Sequence, residues 1–269
     1  IVKYTRKRGK KLDAETFRIV PETTAEKFST LTKIFFQFID RDDSLALIAQ
    51  SACQSIDESS FLILSQAFYY EPSEAAYRDL CGFSFMTAAE SGRNRSVRIH
   101  PMSAQHIRKY GNKIVREAHQ TVLEAYRDKA RNGDELAEVE AILHTNALQW
   151  QQGAIRWLKT FEQALAEQRY NLVRLLVISS ARLHIESDDW AGRIAQARGD
   201  YLMAIGLREE AAAQYSAAAA LLQKFTTENP DDAEASRSYC MVQQALAEIA
   251  WKHGRPDRPG PASNVYQFF

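Results

Sequence analysis

The sequence predicts a mainly α-helical fold interrupted by one β-hairpin, and three observations predict it. Apolar residues recur at helical spacing over most of the chain. The pattern changes to two short extended runs only between Leu80 and His106. Breaks rich in Gly, Asn, Asp and Pro cut the helical remainder into lengths that suit pairs of helices.

In order, residues 1–23 are a basic arm with little pattern. Lys3, Arg6, Lys7, Arg8, Lys10 and Lys11 stand there without an acid among them. Such a run is a solvated arm or linker, with nucleic-acid or membrane contact as the other reading. Thr24 is placed as the N-cap of a first helix carrying Phe28, Leu31, Ile34, Phe35 and Phe38. Asp42, Asp43 or Ser44 caps a helix from Leu45 to Ser55, and Asp57 and Ser59 cap the next. Ser73 starts a short helix that ends near Gly82. Phe83–Met86 and Val97–His100 then form the arms of a hairpin. The turn between them contains Gly92, which supplies a positive φ. Helix, hairpin, helix is the outline of a winged helix, assigned to residues 24–110.

Beyond the hairpin, Ser103 opens a helix interrupted at Gly111. From Asn112 the chain reads as an antiparallel helical array running to His253. Its helices are placed at Asn112 to Asn132, Glu135 to Trp150, Gln152 to Gln168, Tyr170 to Ile185, Asp188 to Gly206, Leu207 to Asn229 and Ala233 to His253. The Tyr170 helix is apolar on most sides and is placed in the middle of the stack. Residues 254–269, with Pro256, Pro259 and Pro261, form an irregular tail.

Composition narrows the functional classes. The chain has 269 residues, 45% hydrophobic and 25% charged, with 34 basic and 34 acidic residues, so it carries no overall nucleic-acid signature. Cys53, Cys81 and Cys240 are too few and too scattered for a disulfide scaffold or a zinc site, which suits a reducing cytoplasm. No apolar run reaches the length of a membrane span, and Ile1-Val2 is followed by cations rather than a signal core, so no membrane partner is expected. The first residue is Ile, so the chain is expected to be a fragment or a processed product.

Within the array, Trp190–Pro230 carries a repeat-like unit. Gly199 and Gly206 lie in its first helix, and Ala211, Tyr215 and Ala218 follow in its second. Small residues there let two antiparallel helices approach, with the aromatic filling the space beside them. The unit resembles a tetratricopeptide repeat whose second helix is about two turns too long. Stacked pairs of this kind present a surface for a protein or peptide. An irregular bundle with coincidental glycines is the alternative.

The region 40–110 resembles the winged-helix domain of STAND-type signalling ATPases. The resemblance runs through Ser44-Leu45-Ala46-Leu47-Ile48-Ala49, Ile56-Asp57-Glu58-Ser59-Ser60-Phe61, Leu80-Cys81-Gly82-Phe83-Ser84-Phe85-Met86 and Arg98-Ile99-His100-Pro101. A hydrophobic–His–Asp motif ends this hairpin in that family, and its His meets the β-phosphate of ADP. Ile99-His100 matches two positions, and Pro101 replaces the acid. The resemblance therefore implies that His100 contacts ADP or ATP only with an ATPase domain from elsewhere, because the sequence has no GxxxxGK[ST] phosphate loop. That domain would precede Ile1 or be a separate chain. The other reading of His100 is a strand-end histidine tying the hairpin to the next helix.

The remaining constellations read as structure. Asp42-Asp43, Asp188-Asp189 and Asp231-Asp232 stand at helix starts, where acids stabilise the exposed amides. His119, His144 and His184 are placed within helices, and the six histidines lack metal-ligand spacing. Trp150, Trp157, Trp190 and Trp251 are expected to anchor the core.

The expectation is a non-enzymatic sensor and scaffold portion of a cytoplasmic signalling protein, with no cofactor of its own. Two alternatives stand beside it. In a transcription regulator, Arg93, Arg95 and Arg98, with Arg108 nearby, would lie on DNA. In a plain tetratricopeptide-like adaptor, the hairpin is an insertion.

Overall fold

The computed structural model describes residues 23–88 and 96–253. The basic arm, the tail, and Gly92, Arg93 and Arg95 in the hairpin turn lie outside the described residues. The described fold is mainly helical with one two-stranded antiparallel sheet. No helix among the described residues is long and apolar enough to cross a membrane. The chain divides into two compact units, residues 1–129 and 130–269. The helix from Asn112, read from sequence as the start of the array, falls almost wholly in the first unit.

The first unit contains α1 (Thr24–Phe38), α2 (Arg41–Gln50), α3 (Glu58–Phe68), α4 (Glu74–Cys81), β1 (Met86–Ala88), β2 (Val97–Ile99), α5 (Pro101–Tyr110) and α6 (Asn112–Arg131). Helix α1 is capped by Thr23, not Thr24; its hydroxyl accepts from the Glu26 amide, so the third residue after the cap is an acid rather than Lys27. Helix α2 begins and ends about one turn earlier than expected, and its N-cap residue is Asp40. Asp57 and Ser60 close a reciprocal capping box on α3. Ser73 caps α4, and Gly82 ends it.

The hairpin pairs Met86 with Ile99, Thr87 with Arg98 and Ala88 with Val97. The first arm is shorter than the sequence suggests. Phe83 and Phe85 are spent on packing instead: their rings stack at 5.3 Å, and Phe35 of α1 meets both edge-on. A third extended piece joins β2 through an isolated bridge. The Val97 carbonyl accepts from the Ile56 amide at 2.7 Å, and the Val97 amide donates to the Ile56 carbonyl at 3.0 Å. The same Ile56 carbonyl accepts from the Tyr77 hydroxyl of α4 at 3.1 Å. Ile56, Phe61, Leu64 and Leu47 are buried at the centre of this unit.

The second unit contains α7 (Glu135–Leu148), α8 (Trp150–Ala166), α9 (Tyr170–Ser179), α10 (Asp188–Ala204), α11 (Arg208–Glu228) and α12 (Ala233–His253). Neighbours in sequence pack on one another and are joined by short connections, so α7/α8, α8/α9, α10/α11 and α11/α12 run antiparallel. Helix α9 stops at Ser179, and a single 3-10 turn, Ser180–Arg182, leads into extended chain. His184 therefore lies in this extended segment, not in a helix. Leu172, Val173 and Leu176 of α9 are buried while Ile178 is exposed, so α9 has a solvent face after all.

Two close approaches set the geometry of this unit. At the first, Gly153 of α8 lies against the backbone of Asn146 in α7, leaving no room for a Cβ. The buried Asn146 side chain donates to the Trp150 and His184 carbonyls, each at 3.0 Å, and accepts from the His184 amide at 2.7 Å. One amide thus ties α7, the first turn of α8 and the extended segment together. At the second, a Cβ on Gly199 of α10 would stand 2.6 Å from the Tyr215 ring of α11. Ala211, Tyr215 and Ala218 are buried along the same seam. Gly206 has a different job from the one its spacing suggests. It takes φ +85 in the turn that ends α10, where a side chain would be strained, and it does not line the helix contact.

Replacing Asn146 by Ala should cost about 2–3 kcal/mol, because it removes three hydrogen bonds and orphans buried partners. Gly199→Ala forces the Tyr215 ring away and should cost about 1–3 kcal/mol. Both are checked by urea denaturation followed by circular dichroism.

Candidate functional site

Helices α8, α10 and α12, every second helix of the second unit, send one stripe each to a common cleft of about 330 Å³. The stripes are Ile155, Leu158, Lys159 and Glu162 on α8; Trp190, Arg193, Gln196, Ala197 and Asp200 on α10; and Glu234, Arg237, Ser238 and Met241 on α12. Each follows the i, i+3, i+4, i+7 spacing of a single helix face. Ile155, Leu158 and Trp190 are partly exposed and Met241 is 54% exposed, while Ala197 and the neighbouring Phe161 lie buried beneath them.

Charge in the cleft is arranged by depth. Arg193 is 11% exposed, donates to Asp189 at 2.8 Å, pairs with Glu234, and lies over the Trp190 ring at 5.3 Å. Burial pushes the Asp189 carboxyl above the usual range, and the Arg193 guanidinium works against that push. Asp200 accepts from the Tyr215 hydroxyl at 2.7 Å. Burial raises its carboxyl too, with the tyrosine bond opposing. No Lys, Arg or His stands within ion-pair distance of Asp200 among the described residues. Lys159, Glu162 and Arg237 are exposed at the rim.

The tryptophans and acidic pairs divide between roles that sequence alone treats as uniform. Trp157 is fully buried, and its indole N–H donates to the Leu176 carbonyl at 3.0 Å. Trp190 packs against the same core while lining the cleft, Trp150 is half-buried, and Trp251 is 65% exposed, so core anchoring is complete at Trp157 and partial at Trp190. Asp232 caps α12 by accepting from the Glu234 and Ala235 amides. Asp188 and Asp189 sit inside the first turn of α10 and instead form ion pairs, with Lys224 and Arg193 respectively. His144 is buried in the packing of α7.

In the first unit, His100 occupies the N-cap position of α5, but its side chain makes no capping hydrogen bond. Its backbone joins the hairpin to α5, donating to the Phe85 carbonyl and accepting from the Ala104 amide. The imidazole itself is exposed. Pro101 supplies the helix start through its fixed φ, which offsets the missing acid. Arg98 is exposed and donates to Thr87 at 3.4 Å, while Arg108 turns inward to the Ser51 carbonyl at 2.5 Å. An open cleft beside α4 is lined by Asp40, Arg41, Asp42, Asp43, Glu71 and Asp79, among others. The exposed face of α4 adds Glu74, which pairs with Arg78 at 3.2 Å. Among the described residues, no group of three or more His, Cys, Asp or Glu side chains is arranged to hold a metal ion.

The spacing of Gly199, Ala211, Tyr215 and Ala218 marks the seam in the sequence but does not mark the cleft that the seam supports. The available signal was the repetition of one helix face in three alternate helices. Asp200 stands next to Gly199, and its carboxylate accepts from the hydroxyl of the same tyrosine.

The cost of burying Asp200 fixes a pH dependence. Its folded pKa lies above its unfolded value, so its contribution favours folding most when it is protonated and is lost as pH rises from near 3.8 through the raised folded value. Asp200→Asn should remove that part of the slope, read as thermal midpoints of wild type and variant across the acid range. Since the His100 side chain is exposed and makes no capping bond, His100→Ala should change stability by no more than about 0.5 kcal/mol, read by the same melts. Neither a protein-family model, nor a curated protein, nor a solved structure matches this chain.

Proposed function

We propose that this chain is a sensor and scaffold portion of a signalling protein that binds a protein or peptide along the α8/α10/α12 cleft, without catalysis of its own. The observation that carries the reading is the convergence of three helix stripes, from alternate helices, on one partly apolar channel. A tetratricopeptide-like arrangement has this property: the helices that alternate with the lining ones form the back of the structure. Gly199, Ala211, Tyr215 and Ala218 supply the close seam such a pair needs.

The first unit is read as a winged helix. Its order of helix, short extended bridge, two helices and hairpin supports this, as does the joining of Ile56 to Val97 beside the hairpin. In the STAND-like version of the proposal, His100 meets the phosphate of ADP or ATP held by an ATPase domain outside this sequence, and ligand binding in the array shifts that contact. An exposed imidazole at the hairpin end is compatible with such a role. The cytoplasm is the compartment proposed.

Binding of DNA by the first unit finds less support. The exposed face of α4 carries Glu74, Arg78 and Asp79, Arg78 is paired, and Arg108 is turned inward. A helix with that balance repels phosphates.

Peptides selected from a displayed library of random linear sequences on the full chain should lose at least about tenfold in affinity on Met241→Glu, which places a charge on the apolar part of the cleft. Unchanged affinity would refute the assignment. Salt-dependent duplex binding that drops when Arg93, Arg95 and Arg98 become Ala would instead favour the DNA reading.

A further inference from the structure

The buried charges of the cleft do not cancel. Arg193 is matched by Asp189 inside the structure and by Glu234 at its edge. Among the described residues, Asp200 is matched by the Tyr215 hydroxyl and by no cation. A hydroxyl donates one hydrogen bond; it does not neutralise a carboxylate, which keeps a second oxygen and a full negative charge. Holding such a group half-buried is unfavourable unless a cation comes to it. Lys159 and Arg237 line the same cleft but stay exposed at its rim and form no ion pair with Asp200 among the described residues. Their charges are screened by water and salt to a degree that the charge of Asp200 is not. The cleft therefore presents a negative floor beside the apolar surfaces of Ile155, Leu158 and Met241, with Lys159, Glu162 and Arg237 exposed at its rim.

We infer that the occupant of this cleft is a linear peptide that inserts a lysine or arginine side chain against the Asp200 carboxylate, with apolar neighbours on Ile155, Leu158 and Met241. The inference rests on the protein-binding reading of the second unit and adds the chemical class of the ligand. The aliphatic stem of a lysine or arginine suits the apolar walls, and its head reaches the partly buried acid that has no cation partner among the described residues. Acidic residues flanking the inserted base would meet Lys159 and Arg237, so the favoured sequence alternates a central cation with apolar and acidic neighbours. Trp190 is not the receptor for the inserted base, because Arg193 already covers its ring.

The test is a selection of random linear peptides on the full chain, followed by titration of the strongest synthetic peptide. The expected result is convergence on a Lys or Arg adjacent to Leu, Met or Phe. Replacing that base by Ala in the peptide should weaken binding at least about tenfold on wild type, and much less on Asp200→Asn, since the two changes remove the same contact. The peptide-side replacement needs no protein variant, so a folding defect does not confuse it. Selected peptides without a base overturn the inference, as does a base whose replacement costs as much on Asp200→Asn as on wild type; in both cases the cleft reading survives if Met241→Glu still weakens binding. Peptides that are indifferent to Met241→Glu, or a selection that enriches nothing, overturn both.

Discussion

Where two helices touch through a glycine and a tyrosine ring, the second unit acquires both its packing and its chemistry. Gly199 leaves the surface of α10 open, and the Tyr215 ring of α11 occupies the opening. Helix backbones that approach this closely tolerate no added carbon, because the interior is already near crystal density. The ring also carries a hydroxyl, which is placed by the same contact on Asp200 of α10. One seam thus holds the pair together and fixes the orientation of a carboxylate on its far side. If the seam were to open, the cleft would lose its floor.

The Asn146 junction does comparable work at the other end of that unit. Helices that pack on one another need their connections fixed, and here the connection between α9 and α10 is an extended segment rather than a tight turn. Its backbone groups have no helix or sheet to satisfy them. Asn146 provides a substitute partner for His184, donating and accepting as a peptide group would. Ion pairs from Arg182 to Glu140 and from Arg169 to Glu135 and Glu138 tie α9 and the turn after it to α7. The bridge at Ile56 plays the corresponding part in the first unit, where a single buried residue links α4, the hairpin and the entry to α3.

Several misreadings share one cause. Phe83 and Phe85 look like strand residues because alternating aromatics favour strands, yet the rings of α1 offered them a better surface. Gly206 sits at the spacing of a packing glycine but works as a turn. Trp190 looks like a core residue only, yet it lines a cleft as well as packing on the core. In each case composition and spacing describe what the residue is able to do, and the neighbour that completes the contact is distant in the chain. Caps behave differently. Asp57, Ser73 and Asp232 are identifiable because their partners are two or three residues away.

By itself the sequence determined the helical class, the number and approximate limits of most helices in the second unit, the site of the hairpin, and the small residues of the α10/α11 seam. These follow from period, capping and turn chemistry, which act over a few residues. Tertiary structure alone decided that α8, α10 and α12 line one cleft, that Arg193 is ion-paired while Asp200 has no cation partner among the described residues, and that His100 keeps its ring outside the contacts its backbone makes. Those outcomes depend on which surfaces meet across long sequence separations, and on how far each charge is carried from water when they do.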